Sequence, residues 1–156
     1  MTFALSQRSK SRLLAVHPKL VKTVERAIEI TDVDFGISEG LRTLETQKHY
    51  VATGKSQTMN SKHLRQDDGF SHAVDLVAYI SGQVSWELNV YDNICDAMKR
   101  AARDVGCGLR WGAAWNVPDI TLWSGTAEEA RMSYIDTRRS QGRRPFIDGP
   151  HFELAI

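Results

Sequence analysis

Apolar residues recur at helical spacing in four segments of the chain. These predicted helices cover residues 18–30, 43–54 and 94–105, and a stretch that begins at 126 and fades before 145. Their ends carry matching signals, since Thr126 and Glu129 form a capping-box pattern and Gly106 is typical of a helix C-terminus. The pattern therefore predicts four helices with defined ends.

Four other segments, 35–42, 73–80, 107–112 and 151–155, are rich in β-branched or aromatic residues or are bounded by Gly and Pro. Helices and strands are mixed without a regular βαβ rhythm, and no glycine-rich nucleotide loop follows a strand. We therefore predict an α+β fold in which helices pack on a small, mostly antiparallel, four-stranded sheet. Residues 113–125 show little periodicity and are predicted to form a long loop.

Length, charge and cysteine content exclude several classes of protein. A chain of 156 residues favours one domain, and a net charge of +1 argues against nucleic-acid binding. The longest apolar run, 76–80, is too short to cross a membrane, and the N-terminus lacks the apolar stretch of a secretory signal. We therefore expect a cytosolic protein without a transmembrane segment. Cys95 and Cys107 belong to no CxxC pair and are expected to be free thiols.

The first sign of chemistry is Asp75, a carboxylate inside the apolar segment 73–80. Burying a carboxylate among Val and Leu side chains is costly unless it is paired or bound to a metal. His72 points to the opposite face of a strand from Asp75, because successive side chains alternate between faces. His63, on the preceding loop, is therefore the better predicted partner for Asp75.

A second cluster of polar residues ends the chain. His151 and Glu153 share one face of the predicted last strand, and a Gly-Pro turn lets Asp148 fold back towards His151. Two imidazoles and one carboxylate would supply three ligands and leave a fourth position for water, which is typical of a catalytic zinc site. Asp148 would then accept a proton from that water. On spacing alone, the alternative that these are capping and surface residues stays open.

Five sequence blocks follow one another between residues 40 and 154: GLRTLETQ, GKSQTMNSKHL, SHAVDLVAY, LRWGAAWN and DGPHFEL. With them the chain resembles the D-alanyl-D-alanine/L-alanyl-D-glutamate metallopeptidases, which share the Hedgehog N-domain fold, and in particular their single-domain phage endolysins. The resemblance implies one catalytic Zn²⁺ with ligands His63, Asp75 and His151. It also implies that Asp148 is the acid/base carboxylate and that Arg42, with Gln47 behind it, polarises the substrate.

The resemblance implies hydrolysis of the L-alanyl-D-glutamate bond in the stem peptide of peptidoglycan. Residues 1–156 would form a single monomeric catalytic domain without a separate cell-wall-binding domain. The enzyme would wait in the cytoplasm of the infected bacterium until a separate pore-forming protein releases it. Two alternatives stay open: a D-alanyl-D-alanine carboxypeptidase on the same scaffold, and a non-catalytic zinc-containing module that binds the cell wall.

The chain departs from the family pattern in two places. Residues 65–70 lengthen the link between the first two ligands, which makes His72 a rival of His63. The family's Trp-Gly-x-Asp-Trp pattern reads Trp-Gly-Ala-Ala-Trp at 111–115, so an acidic residue is missing. Whether a second ion such as Ca²⁺ binds the loop 113–125 is left open.

The remaining candidates have supporting roles. Ser61 belongs to the Ser-x-His loop, and Glu153 is expected to orient a ligand histidine. Trp115 would line a substrate groove or pack in the core. The basic run 138–144 is expected to be a solvated face, with attraction to the acidic cell wall as the alternative.

Overall fold

The computed structural model describes residues 2–156. Five strands form one sheet: β1 (Asp34–Glu39), β2 (Ala73–Ile80), β3 (Gln83–Ser85), β4 (Leu109–Trp111) and β5 (His151–Leu154). Five α-helices accompany them: α1 (Gln7–Arg12), α2 (Pro18–Ile30), α3 (Leu44–Ala52), α4 (Leu88–Val105) and α5 (Ala127–Ser140). A single 3₁₀ turn spans Ile120–Leu122. The α+β prediction is thus confirmed.

The sheet is antiparallel throughout, with the order β1-β2-β5-β4. The short β3 pairs with the end of β2 that β5 leaves free. This order places β2 and β5 side by side at the centre of the sheet. Residues on these two strands therefore meet although about half of the chain separates them.

The two faces of the sheet differ in polarity because side chains alternate along each strand. Val74, Leu76 and Phe152 are buried in the hydrophobic core, together with Leu20 and Val24 of α2 and Ile94 and Met98 of α4. Asp75, His151 and Glu153 alternate with these core residues and so belong to the opposite face. One face thus holds the fold together and leaves the other free for polar side chains.

The predicted helices are confirmed, and their caps explain where they begin and end. Thr43 and Thr126 cap α3 and α5, each accepting a hydrogen bond from the amide N–H three residues later. Gly106 ends α4 in the left-handed conformation, at φ 88°. The helix α4 begins at Leu88, several residues before the apolar pattern predicted.

The structure corrects three details of the predicted fold. The sheet has five strands and not four, because the turn at 81–82 lets Gln83–Ser85 fold back on β2. The predicted strand 35–42 ends at Glu39, after a register shift that follows Ile37. The short helix α1 was missed because its six residues, QRSKSR, contain no apolar position.

Two expectations from composition also hold. Neither Cys95 nor Cys107 is in a disulfide. None of the helices within residues 2–156 combines the length and the apolar character needed to cross a membrane.

Candidate metal centre

The register of the sheet brings three polar residues into one row on its polar face. Asp75 of β2 pairs with Glu39 of β1 on one side and with His151 of β5 on the other. In the next row of the same face, Glu153 of β5 pairs with Arg110 of β4. The cluster is therefore built by strand pairing, which fixes the backbone beneath each side chain.

His63 joins this row from the loop that follows α3. Its backbone N–H donates to the Ser61 hydroxyl over 3.2 Å, and its carbonyl accepts from the Arg42 N–H over 2.9 Å. Its ring is buried, and Nδ1 donates to the Gly40 carbonyl over 2.8 Å. These bonds hold the other ring nitrogen, Nε2, against Asp75.

The nitrogen atoms of two imidazoles converge on one carboxylate oxygen. His63 Nε2 lies 3.0 Å and His151 Nδ1 lies 3.2 Å from Asp75 Oδ1. One ligand atom from each of these residues lies within 4.8 Å of the others, which makes them a group suited to hold a metal ion. The structure thus brings together the three residues that the sequence resemblance implied.

Each imidazole also makes a hydrogen bond on the side that points away from Asp75, and this bond decides which ring nitrogen faces the centre of the group. The carbonyl of Gly40 can only accept, so His63 Nδ1 carries the proton and Nε2 is left with a lone pair. His151 Nε2 similarly donates to Glu153 Oε1 over 2.9 Å, so Nδ1 is the nitrogen that faces Asp75. When each ring carries only its outer proton, two nitrogen lone pairs and a carboxylate oxygen face one another. This donor set suits a divalent metal and is one that zinc accepts.

The directions in which the pKa values of the cluster shift agree with a centre that attracts positive charge. Burial opposes the charged form of Asp75, but the charge of His63 and hydrogen bonds from both imidazoles hold its pKa far below the usual range. Burial also disfavours the charged form of His151, but bonds to Asp75 and Glu153 raise its pKa to about 10. The centre thus favours a bound positive charge, whether a proton or a metal cation.

Arg42 lies beside the cluster and is held by several acceptors. Its Nε donates to Glu39 over 2.8 Å, and its Nη1 donates to the Gln47 side chain over 2.7 Å and to Ser61 over 3.4 Å. Nη2 lies 3.8 Å from Asp75 Oδ2, and the guanidinium carbon is 4.7 Å from the Tyr50 ring centre. The guanidinium is therefore fixed next to the carboxylate of the cluster.

Asp148 approaches the cluster from the turn before β5. Its N–H donates to the Gly112 carbonyl over 2.8 Å, and its carbonyl accepts from the His151 N–H over 3.1 Å. A Cβ on Gly112 would overlap the Asp148 carbonyl oxygen, so this close approach requires glycine. Within residues 2–156, the Asp148 carboxylate has no hydrogen-bond or ion-pair partner. Burial and the negative charge of Asp75 raise its pKa.

The three cluster residues open, together with Arg42 and Asp148, into one cleft of about 930 Å³. Trp115 forms part of its wall, with its ring 5.3 Å from the His151 ring and 6.3 Å from the Phe146 ring. The cleft is bounded on another side by residues 55–58, which follow α3. A peptide segment could therefore lie across the cluster between these walls.

His72, the rival of His63, points elsewhere. Its Nε2 lies 2.7 Å from Asp68 Oδ2 on the lengthened loop, and its ring packs edge-on against His17. At the other departure from the family pattern, Ala114 takes the place of the missing acid and is fully buried. Neither departure alters the group of His63, Asp75 and His151.

Sequence reasoning missed several residues that shape the site. Glu39 holds Arg42, the Gly40 carbonyl orients His63, and Tyr50 packs on the Arg42 guanidinium. A carbonyl oxygen has no residue-specific signal, since every residue carries one. The acidic Glu39 directly before Gly-Leu-Arg was a usable signal, because it lies three residues before Arg42.

Comparisons with known proteins agree with this geometry. Residues 1–155 match the family model of the phage L-alanyl-D-glutamate peptidases. The L-alanyl-D-glutamate peptidase of Escherichia phage T5 is 33% identical over 158 residues, which cover 99% of each chain. The crystal structure of the Serratia marcescens L-Ala D-Glu endopeptidase ChiX is 35% identical, with a TM-score of 0.71 over 97% of this chain and 90% of that one. The chain belongs to the phage L-alanyl-D-glutamate peptidase family, as its sequence blocks indicated.

Proposed function

We propose that this protein is a zinc-dependent peptidase that hydrolyses the L-alanyl-D-glutamate bond in the stem peptide of peptidoglycan. The observation that carries the proposal is the convergence of His63, Asp75 and His151 on one point at the floor of an open cleft. The names of the phage T5 relative and of ChiX supply the substrate class.

One zinc ion would be held by His63 Nε2, His151 Nδ1 and an oxygen of Asp75. Two nitrogens and one oxygen form a three-ligand set, which in catalytic zinc sites leaves a position open to water or substrate. Zinc bound in such a site lowers the pKa of water and polarises a substrate carbonyl. Glu153 would keep His151 in the required tautomer through its hydrogen bond to Nε2.

Asp148 would move the proton in this reaction. Its carboxylate lines the cleft beside His151 and has no protein partner among residues 2–156, so it is free to contact water and substrate. It would take a proton from the attacking water and return it to the nitrogen of the leaving D-glutamate. The raised pKa of Asp148 brings this group closer to neutral pH, where a carboxylate carries protons more effectively.

Arg42 would stabilise the negative charge that develops on the carbonyl oxygen of the cleaved bond. Its planar guanidinium is fixed by Glu39, Gln47 and Ser61, so little reorganisation is required when that charge appears. Trp115 would form the adjoining wall against which the substrate backbone packs.

The cellular setting is part of the same proposal. Residues 2–156 would act as one catalytic unit and as a monomer, because the cluster is complete within a single chain. The enzyme would stay in the cytoplasm of the infected bacterium until a separate pore-forming protein gives it access to the cell wall.

Mass spectrometry of purified peptidoglycan digested with the protein tests the proposal. We expect stem peptides that begin with D-glutamate, and L-alanine left on the glycan strand. Release of D-alanine alone would replace this proposal with the carboxypeptidase alternative. No cleavage by protein that contains zinc would favour the cell-wall-binding alternative.

A further inference from the structure

One face of α5 forms the wall of the cleft next to Trp115 and Phe146. Three α5 residues, Tyr134, Thr137 and Arg138, and the C-cap residue Gln141 line the cleft at helical spacing. Tyr134 links α5 to the segment that carries Phe146, because its hydroxyl donates to the Phe146 carbonyl over 2.9 Å. Arg138, one turn further along, carries the only positive charge among these four residues.

The position of Arg138 follows from a continuous series of contacts. The His151 ring packs against Trp115, and the Trp115 ring stacks on Phe146 with an interplanar angle of 17°. The Phe146 carbonyl in turn accepts a hydrogen bond from the hydroxyl of Tyr134, which lies one helical turn before Arg138. Arg138 therefore belongs to the α5 wall of the same cleft, and within residues 2–156 no hydrogen bond or ion pair joins it to His63, Asp75 or His151. Such a place suits contact with a substrate residue other than the reacting carbonyl.

Arg138 has unused hydrogen-bonding capacity at this position. Nη2 makes a long 3.5 Å bond to the Arg144 carbonyl, whereas Nε is buried and has no partner within residues 2–156. A buried donor without an acceptor is costly, and such groups in native proteins call for an explanation. An acceptor supplied by a ligand would remove this cost.

The other arginines of the cleft are already engaged. Arg42 is paired with Glu39, and Arg110 directs its guanidinium to the Trp115 carbonyl over a 3.0 Å bond from Nε. Arg138 forms no ion pair within the described part of the chain. Its guanidinium thus has no carboxylate partner there, and a carboxylate is a group that a guanidinium binds in a bidentate manner.

We propose that Arg138 binds a carboxylate of the substrate on the D-glutamate side of the cleaved bond. This inference rests on the proposed function, because the peptide on that side begins with an acidic residue, whereas L-alanine has an apolar side chain. Two carboxylates share this chemistry: the one that D-glutamate keeps outside the peptide chain, and the C-terminal one of the stem peptide. Binding of either would select the direction in which the peptide enters the cleft.

The experiment measures how amidation of each substrate carboxylate changes the KM of the wild type and of Arg138 variants. The substrate is N-acetyl-L-alanyl-D-glutamyl-L-lysine, with both carboxylates free, with the D-glutamate carboxylate amidated, or with the C-terminal carboxylate amidated. Wild type, Arg138→Gln and Arg138→Lys are assayed on each peptide. Arg139→Gln is the matched control, because Arg139 is the exposed neighbour on α5 and does not line the cleft.

We expect one of the two amidations to raise the KM of the wild type about tenfold, the scale of a charge-assisted hydrogen bond. Arg138→Gln should raise KM to the same extent on the free peptide and then become insensitive to that amidation, with kcat little changed. Arg138→Lys should retain part of the sensitivity, and Arg139→Gln should behave like the wild type.

Two results would overturn the inference: a wild type that is indifferent to both amidations, or an Arg138→Gln variant that keeps the full sensitivity. Circular dichroism of each variant checks the fold, and the wild-type peptide series remains decisive if the variant is unfolded. Failure of the proposed function looks different, because the wild type would then cleave none of the peptides and release no peptide that begins with D-glutamate from peptidoglycan.

Discussion

Two clusters of two histidines and one aspartate occur within residues 2–156, and one of them has the geometry of a metal centre. The first, called here the central cluster, consists of His63, Asp75 and His151. The second, called the loop cluster, consists of His17, Asp68 and His72. Composition alone does not distinguish them, so the difference must lie in how the atoms are held.

In the central cluster, the outer nitrogens donate to fixed acceptors, the Gly40 carbonyl and Glu153. In the loop cluster, His17 Nδ1 accepts a hydrogen bond from the Lys19 N–H, so the proton lies on Nε2, the atom facing Asp68 at 3.8 Å. With each ring neutral, the central cluster thus points nitrogen lone pairs inward, whereas in the loop cluster His17 points a proton inward. The outer hydrogen bonds set the histidine tautomers, and these tautomers distinguish the central cluster, which suits a metal ion, from the loop cluster, which is held by hydrogen bonds.

The largest effect should come from removing one imidazole of each cluster. We expect His63→Ala to lose bound zinc and to lower peptidase activity by more than 100-fold, because losing groups that only orient ligands already costs about 10–100-fold. His72→Ala should keep both zinc and activity. Elemental analysis of the two purified variants, with activity on peptidoglycan, makes the comparison. Full zinc in His63→Ala together with loss in His72→Ala would reverse the assignment.

A substitution of Asp148 tests whether this carboxylate, which lies beside the central cluster, transfers a proton or binds the metal. We expect Asp148→Asn to keep zinc at the wild-type ratio and to lose activity by about 10²–10⁴-fold, the usual contribution of a general base. The amide has nearly the same size, so the turn before β5 should be preserved. Zinc loss like that of a His151→Ala variant would instead identify Asp148 as a ligand.

Much of the fold was predictable because its signals are local. Thr43, Thr126 and Gly106 mark helix ends within a few residues of sequence, and the structure places them as caps. The alternation around Asp75 likewise predicted that His72 points to the opposite face, and in the structure His72 faces Asp68. These features depend on residues close together in the chain, where periodicity and capping preferences act directly.

The rest depends on pairings that the sequence does not encode locally. His17, for example, caps α2 and faces Asp68 at 3.8 Å, 51 positions away in the chain. The bond from His63 to the Gly40 carbonyl involves a backbone atom that every residue has. The grouping of His63, Asp75 and His151 came chiefly from the family resemblance, since spacing alone left a surface role open.

A smaller effect is expected when an outer hydrogen bond of the central cluster is removed. Glu153→Ala deletes the acceptor for His151 Nε2, which frees the ring to rotate or change tautomer. We expect zinc affinity to fall by about 10–100-fold, measured by competition with a chelator. Glu153→Gln should recover part of this loss, because its amide oxygen still accepts a hydrogen bond. Equal losses in the two variants would show that the charge of Glu153 matters more than its accepting oxygen.

The smallest effect is expected from the loop cluster. Desolvation opposes the charged form of Asp68, but hydrogen bonds from His72 and from the Phe70 N–H, with the charges of His72 and His17, together lower its pKa. A carboxylate with a lowered pKa stabilises the fold above the pKa it has when unfolded, and this contribution is lost as pH falls through the lower, folded value. Asp68→Asn should therefore reduce the denaturant midpoint slightly at pH 7, and the difference from the wild type should shrink below about pH 4.

Zinc content and peptidase activity of Asp68→Asn at pH 7 should stay within about twofold of the wild type, the range expected of a surface substitution away from the site. Asp67→Asn is the matched control, because Asp67 is an exposed neighbour on the same loop. A loss of zinc in Asp68→Asn but not in Asp67→Asn would mean that the loop cluster supports the central one. The two clusters would then be coupled through the link between His63 and Asp75, which the residues 65–70 lengthen.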